Sequence, residues 1–215
     1  EAKIEDGWLI GRGAADMKGA IAAFVAAVER VGEVPGSLSF LITGDEEGRA
    51  THGTKLVVEA LIAEGERIDH CVVGEPSSAA ELGDMMKVGR RGSLNAWITV
   101  EGRQGHVAYP QRAANPISTL TRLMARLQAR VLDEGYDGFP PSNLEFTTVD
   151  VANPATNVIP ARASARLNIR FNPAWNGERL MAWLSEEIAA TNAAEPDRAT
   201  TIEFLHSGDA FLTEP

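Results

Sequence analysis

Acidic residues in the first third of the chain have types and spacing suited to metal chemistry. Asp16, the pair Glu46 and Glu47, and Glu75 each follow an apolar, strand-like run and stand beside glycine or proline. Because the carboxyl ends of strands in an open α/β sheet meet at one edge, we expect these acids to converge. One aspartate can bridge the two metal ions of a hydrolytic site. The pattern therefore predicts a metallohydrolase.

The two adjacent glutamates predict a division of roles. On an extended strand end, Glu46 and Glu47 point to opposite sides. One can bind a metal ion while the other comes within hydrogen-bond reach of a water molecule as general base. A solvated acidic turn is the alternative for this run, and helix N-capping is the alternative for Asp16. We interpret Asp45 as a turn residue.

Composition limits the classes of partner. The chain has 215 residues, 44% of them hydrophobic, and a formal net charge of −10. Phosphate backbones would be repelled by that charge, so no nucleic-acid partner is expected. A small anionic substrate fits better, since Arg90 and Arg91 could form a local positive pocket. The single cysteine, Cys71, excludes a disulfide within the chain and is expected to be a buried hydrophobe.

Membrane and export signals are not found in the sequence. No run approaches the roughly 18 apolar residues of a membrane span, and the first residues lack the basic and apolar regions of a signal peptide. We therefore expect no membrane partner and a cytoplasmic location.

The first part of the chain alternates between strand and helix patterns. Strands are predicted near 8–10, over 37–43 and over 70–74, with helices over 17–31 and 54–63. This alternation is typical of an open α/β sheet.

A different order begins near Gly89. The predicted elements are a strand at 93–101, a helix at 115–131, strands at 143–149 and 162–171, a helix at 177–191 and a strand at 200–205. The order β-α-β-β-α-β is typical of a ferredoxin-like α+β sandwich. We therefore expect a catalytic α/β domain over 1–91, a compact second domain over 92–206, and the start of a return to the first domain over 207–215.

Six motifs in order carry a resemblance to a known family. They are GRGAADMKG (11–19), DEE (45–47), GEPSS (74–78), GRRGS (89–93), QGHVAYP (104–110) and NVIP (157–160). Together they resemble the succinyl-diaminopimelate desuccinylases of the dizinc aminoacylase and carboxypeptidase superfamily, of M20 type. The GRRGS run, the double serine and FPPS at 139–142 favour desuccinylases over acetylornithine deacetylases or peptidases. The resemblance implies an open α/β zinc-hydrolase domain with an inserted ferredoxin-like dimerisation domain.

The resemblance also implies a metal centre. It implies two zinc ions, with cobalt possible at one site. Asp16 would bridge the two ions, while Glu47 would bind one and Glu75 the other. Glu46 would be general base and acid, and a cis peptide bond would follow Asp16.

Further roles follow from the same resemblance. The 92–206 domain would form a homodimer, and His106 would reach into the partner subunit's site to stabilise the oxyanion. The candidate substrate-binding residues are Arg90, Ser93, Tyr109, Asn157 and Arg170. For Arg170, a surface salt bridge is the alternative. The other three histidines match no family ligand and are expected to be surface or hinge residues, namely His52, His70 and His206.

The implied reaction is hydrolysis of N-succinyl-LL-2,6-diaminopimelate to succinate and diaminopimelate, in lysine and diaminopimelate biosynthesis. Acetylornithine deacetylation and dipeptide hydrolysis are alternatives. The family also takes two histidine ligands from segments that this sequence does not match. We therefore expect an internal segment with an incomplete catalytic domain, and a non-catalytic dimerising module is the remaining alternative.

Overall fold

The computed structural model describes residues 2–48 and 50–213. It divides into two compact units, Glu1–Met86 (unit 1) and Lys87–Pro215 (unit 2). Among the described residues, no helix is long and apolar enough to cross a membrane.

Among its described residues, unit 1 contains one hairpin, an irregular helical turn (Ala14–Lys18) and two α-helices. Strands β1 (Lys3–Glu5) and β2 (Trp8–Ile10) pair antiparallel. They are joined by Asp6 and Gly7, which both have positive φ, the conformation that a two-residue hairpin turn requires. Helices α1 (Gly19–Val31) and α2 (Thr54–Ala63) confirm the two predicted helices.

The strands predicted at 37–43 and 70–74 are not formed, so these two predictions are wrong for this structure. None of the described residues forms a ladder with either segment, and a strand requires a hydrogen-bonded neighbour. Their apolar side chains, such as Ile42 and Val72, are exposed. Cys71 is exposed for the same reason, which corrects its predicted burial.

Unit 2 contains the predicted six-element order and, among the described residues, four short strands outside it. Its elements are β3 (Gly89–Arg90), β4 (Gly92–Glu101), β5 (Gly105–His106), α3 (Pro116–Gln128), β6 (Asn143–Asp150), β7 (Val158–Ile159), β8 (Arg162–Phe171), α4 (Gly177–Ala194), β9 (Ala199–Gly208) and β10 (Phe211–Leu212). The main sheet has the order β6-β8-β4-β9, and each pair is antiparallel. This topology confirms the ferredoxin-like α+β prediction.

The core of unit 2 lies between its sheet and its two helices. Alternate residues of β4 and β8 face the helices and are buried, including Leu94, Ile98 and Leu167. They pack against one face of α3 and one face of α4, where Leu123 and Leu184 are fully buried. Residues at every second position of the strands thus pack against residues at helical spacing in α3 and α4, and together they form one core.

Side-chain caps fix where both helices of unit 2 begin. The Asn115 side chain accepts a hydrogen bond from the Ile117 amide at 3.0 Å, and the Asn176 side chain accepts one from the Arg179 amide at 2.8 Å. Each cap satisfies an amide that the helix itself leaves without a partner.

The short strands β3 and β10 pair antiparallel inside unit 2, with Arg90 opposite Phe211. The Thr213 amide extends this pairing by donating to the Val88 carbonyl at 2.7 Å. The structural division after Met86 comes five residues before the predicted boundary. The predicted assignment of 1–91, 92–206 and 207–215 to separate domains stays a prediction.

Candidate functional site

Asp16 and Glu75 are brought together by close backbone packing in unit 1. Asp16 lies in an irregular turn ahead of α1, and its peptide bond to Met17 is cis, as the resemblance implies. Gly74 packs so closely against this region that an added Cβ would lie 2.8 Å from the side chains of Met17 and Phe24. A side chain at position 74 would therefore require these neighbours or the backbone next to Glu75 to shift.

The acids of unit 1 interact electrostatically. Partial desolvation raises the pKa of Glu75, and the negative charges of Asp16, Glu46 and Glu47 raise it further. A hydrogen bond with Asp16 favours the protonated form of Glu75. The structure therefore places Asp16, Glu46 and Glu47 within electrostatic reach of Glu75.

Glu46 and Glu47 lie in a turn rather than at a strand end, which corrects the predicted local geometry. The turn is held by Asp45, whose carboxylate accepts hydrogen bonds from the Thr51 amide at 2.9 Å and the His52 amide at 3.2 Å. The predicted turn role of Asp45 is confirmed. Asp16 makes no capping bond to α1, so the alternative N-cap role is not observed.

Metal ligation by these acids stays a prediction. Within residues 2–48 and 50–213, no three side chains of the types His, Cys, Asp and Glu are arranged to hold a metal ion. The donor chemistry fits a divalent cation, because carboxylates that repel one another are stabilised by a shared positive charge. Asp16, Glu47 and Glu75 provide oxygen donors only, which hard cations accept most readily.

The double serine after Glu75 has a structural role. The Ser77 hydroxyl donates to the Met85 carbonyl at 2.8 Å, and the Ser78 hydroxyl accepts from the Gly83 amide at 2.9 Å. Both hydroxyls therefore close the loop that follows Glu75.

Unit 2 contains a cavity of about 430 Å³ that we call the basic cavity. It is lined by Lys87, Gly89, Arg90, Arg91, Gly138, Phe139, Pro140 and Arg170. Four of these residues are cationic and none is acidic. In a chain of net charge −10, such a cavity is a local site for a carboxylate or another small anion.

Ser93 lies beside the basic cavity. It lines a smaller cavity of about 80 Å³ that shares Arg90 and Arg91, and it is opposite Arg170 in the β4–β8 ladder. The Asn168 amide group donates to the Ser93 hydroxyl oxygen at 3.2 Å, which leaves the hydroxyl proton free to be donated. Three predicted substrate-binding residues, Arg90, Ser93 and Arg170, therefore belong to one region of unit 2.

The other predicted residues form a second group in unit 2. Strands β5 and β7 pair with His106 opposite Val158, and the Val107 amide donates to the Asn157 carbonyl at 3.0 Å. His106 Nδ1 accepts from the Ala108 amide at 3.1 Å. The proton of the neutral imidazole is therefore on Nε2, where it can be donated.

Tyr109 packs beside this histidine. The rings of His106 and Tyr109 lie 6.0 Å apart at a tilt of 54°, and the Arg112 guanidinium lies 5.6 Å from the Tyr109 ring centroid. His106, Tyr109 and Asn157 are thus exposed residues in or next to the β5–β7 pair.

Part of the basic cavity is formed by residues that were not predicted as site residues. Lys87 also lines the cavity, and it lies two positions before the GRRGS motif. Phe139 and Pro140 belong to the FPPS run that favours the desuccinylases, and both line the cavity. The remaining histidines, at positions 52, 70 and 206, line neither cavity.

Comparison with known proteins identifies the family. The model of the M20 peptidase dimerisation domain matches residues 88–196, just over half of the chain. The chain belongs to the M20 peptidase dimerisation domain family. The match covers most of unit 2, including its whole α3 and α4 helices.

Several curated relatives of this M20 chain share one name. Succinyl-diaminopimelate desuccinylase from Caulobacter vibrioides is 68% identical over 216 residues, which cover 100% of this chain and 55% of that protein. The proteins of the same name from Maricaulis maris and Rhodospirillum rubrum are 60% and 52% identical. The chain thus spans about half the length of these relatives.

Solved structures share the fold of the M20 chain. Aminopeptidase PepT from Bacillus cereus matches with a TM-score of 0.72 at 15% identity, over 100% of this chain and 56% of that one. A tripeptidase from Staphylococcus aureus matches with a TM-score of 0.66 at 16% identity, over 100% of this chain and 55% of that one. At such identities the likeness shows the fold alone.

Proposed function

We propose that this chain is part of a metal-dependent amide hydrolase that cleaves N-succinyl-LL-2,6-diaminopimelate to succinate and LL-2,6-diaminopimelate. The reaction would serve lysine and diaminopimelate biosynthesis in the cytoplasm. The observation that carries the proposal is identity of 52% to 68%, along the length of this chain, with relatives named succinyl-diaminopimelate desuccinylase.

The basic cavity supports a succinyl rather than an acetyl substrate. A succinyl group ends in a carboxylate, whereas an acetyl group ends in a methyl group. Arg90 and Arg170 provide planar guanidinium groups that can bind a carboxylate through two parallel hydrogen bonds. Ser93 would donate its hydroxyl proton to the same ligand. An acetylated substrate would leave these cations without an anion.

The acids of unit 1 would hold two metal ions, zinc or zinc with cobalt. Asp16 would bridge the ions, and Glu47 and Glu75 would each bind one of them. Bound metal would polarise the amide carbonyl and lower the pKa of water. Glu46 would take a proton from the attacking water and deliver it to the leaving amine, which needs a carboxylate within hydrogen-bond reach of both.

Three residues of unit 2 would assist at the amide. His106 would donate from Nε2 to the oxyanion that develops on the carbonyl oxygen. Tyr109 and Asn157 would hold the amide and the substrate carboxylates. In a homodimer formed through unit 2, His106 would act in the partner subunit's site.

The test measures hydrolysis of N-succinyl-LL-2,6-diaminopimelate by the complete protein that contains this chain. Zinc is supplied, and N-acetylornithine and a dipeptide are the competing substrates. We expect the succinyl substrate to be preferred by at least about 100-fold, because only its acyl group ends in a carboxylate that can pair with the guanidinium groups of Arg90 and Arg170. Preference for N-acetylornithine would contradict the proposal.

A non-catalytic dimerising role is the second candidate. The observation that favours it is the lack, within the described residues, of three potential ligands arranged around one metal position. A folded dimer without turnover for any of the three substrates would support this role.

A further inference from the structure

We propose that Phe139 determines which acyl length the basic cavity accepts, and that Asp133 and Asn172 are positioning residues for it. The inference rests on the proposed function, because it assigns the basic cavity to the succinyl group. It concerns the segment Asp133–Ser142, which we call the wall segment, and it uses residues of unit 2 only.

One carboxylate oxygen ties both ends of the wall segment together. Asp133 Oδ1 accepts hydrogen bonds from the Gly135 amide at 2.9 Å, the Ser142 amide at 3.1 Å and the Asn172 side-chain nitrogen at 2.7 Å. The first and last residues of a ten-residue segment are therefore held at the same atom.

Asn172 attaches this closed loop to the sheet. It directly follows β8 and is fully buried. Its backbone amide donates to the Ser142 hydroxyl at 3.0 Å, and its side-chain nitrogen also contacts the Pro140 carbonyl at 3.3 Å. Buried polar groups bonded in this way fix a single local conformation.

The tip of the wall segment is a tight turn. The Tyr136 amide donates to the Phe139 carbonyl at 3.2 Å, and the Phe139 amide donates to the Tyr136 carbonyl at 2.7 Å. Between them stand Asp137 and Gly138, and Gly138 has the positive φ of 72° that such a turn favours. The Tyr136 ring meets the Phe139 ring edge to face at 6.4 Å, which orients the Phe139 ring.

The oriented ring forms an apolar side of the basic cavity. Phe139 and Pro140 are the apolar side chains in its lining, and the other lining side chains are cationic. Phe139 is wedged against β3, since a Cβ added at Gly89 would lie 2.8 Å from its Cζ atom. A ligand whose carboxylate contacts the cations would therefore place its methylene groups against this ring.

Acyl length then decides the fit. Two methylene groups separate the carboxylate of a succinyl group from its carbonyl carbon. A shorter chain leaves the Phe139 ring without contact, and a longer chain collides with a ring that packs against Tyr136 and β3. One methylene group in an apolar pocket changes binding by about 10-fold or more.

The experiment measures binding of malonate, succinate and glutarate to the chain by NMR titration. For the parent chain we expect succinate to bind about 10-fold more tightly than either neighbour in length. Phe139→Ala should bind glutarate as well as succinate. Val131→Ala, a similar apolar truncation at an exposed site just before the wall segment, should keep the parent preference.

The positioning role is tested by substitution of Asp133. Asp133→Ala removes the shared acceptor and should lower the succinate-to-glutarate preference, whereas Asp133→Asn keeps an acceptor oxygen and should retain it. A purely structural role would change the unfolding midpoint of both variants without changing the preference. Phe139→Ala provides an independent test where Asp133→Ala fails to fold.

The outcomes separate the two proposals. If the parent chain binds none of the dicarboxylates, the assignment of the basic cavity fails, and this inference fails with it. Selective binding of succinate that Phe139→Ala leaves unchanged would overturn the inference alone.

Discussion

The ionisation of the Asp133 carboxyl affects the stability of unit 2. Burial raises the pKa of this carboxyl, but hydrogen bonds from Ser142, Asn172 and Gly135 outweigh burial and leave the pKa below its ordinary value. These bonds favour the ionised form, so they stabilise the folded state only while Asp133 is ionised.

The sign of the pH dependence follows from that depressed pKa. The stabilisation is fully present above the ordinary aspartate pKa near 3.8, and it is lost as the pH falls through the lower folded value. Asp133→Asn should remove this part of the pH dependence. Urea unfolding followed by tryptophan fluorescence between pH 2 and 6 measures it, and equal pH profiles for parent and variant would contradict the assignment.

Glu46 and Glu47 are adjacent, yet their proposed roles differ. Glu46→Gln should keep bound zinc and lower kcat by about 100-fold or more, because it removes proton transfer without removing a ligand. Glu47→Gln should lower bound zinc first. Both variants are checked by measuring bound zinc and kcat on the complete protein that contains this chain. Loss of zinc from Glu46→Gln with zinc retained in Glu47→Gln would exchange the two assignments.

Residue roles that depend on local sequence were predictable. Asp45 is followed by Glu46, Glu47 and Gly48, and such a run predicts the turn that its carboxylate holds. The role of Asn172 was not predictable. Its partners Asp133 and Ser142 lie 39 and 30 positions away, so only the folded sheet brings them together.

At the scale of elements, the start of α4 depends on a close contact with the end of β9. A Cβ added at Gly177 would lie 2.6 Å from His206 Nε2. Asp209 holds this contact, because its carboxylate accepts from the Gly177 amide at 2.7 Å and lies 3.2 Å from His206 Nε2. The first turn of α4 therefore accepts no side chain at position 177 without movement of His206.

Gly177→Ala should destabilise unit 2 by about 1–3 kcal/mol, the usual result of overpacking. His206→Ala should relieve most of that loss in the double variant, because the clash disappears with the ring. The free energies of unfolding of the parent, both single variants and the double variant give the coupling energy between the two positions. Additive effects would show that the His206 contact is not the cause.

The elements differ in how far sequence predicts them. All six elements of the ferredoxin-like order were predicted, because each packs one face against the core of unit 2 and therefore shows a clear period. The segments 37–43 and 70–74 have equally apolar sequences, yet they form no ladder with the described residues. A hydrophobic run indicates that a segment could form a buried strand. Whether the strand forms depends on a partner strand, which the run itself does not specify.

On the scale of the whole molecule, the two units differ in burial. Among the described residues, the buried hydrophobic side chains all belong to unit 2, whereas Leu38, Phe40 and Val73 of unit 1 are exposed. Buried contacts determine how much free energy is needed to open a region.

Hydrogen exchange should therefore separate the units. Amides of β4 and β8 should exchange only through global unfolding, while amides of 37–43 and 70–74 should exchange at least about 100-fold faster. Exchange resolved by residue in the native chain measures this difference. Equal protection in both units would contradict it and would indicate that unit 1 has a core as cooperative as that of unit 2.

Dimer formation through unit 2 makes the last prediction. The family match concerns a dimerisation domain, and the sheet of unit 2 has two edge strands, β6 and β9. If folding is coupled to association, each tenfold rise in chain concentration should stabilise the native state by about 1.4 kcal/mol of dimer. The thermal midpoint should rise with concentration accordingly. Calorimetry over a hundredfold concentration range, with sedimentation equilibrium on the same samples, tests this prediction. A midpoint independent of concentration, together with the mass of a monomer, would exclude the dimer.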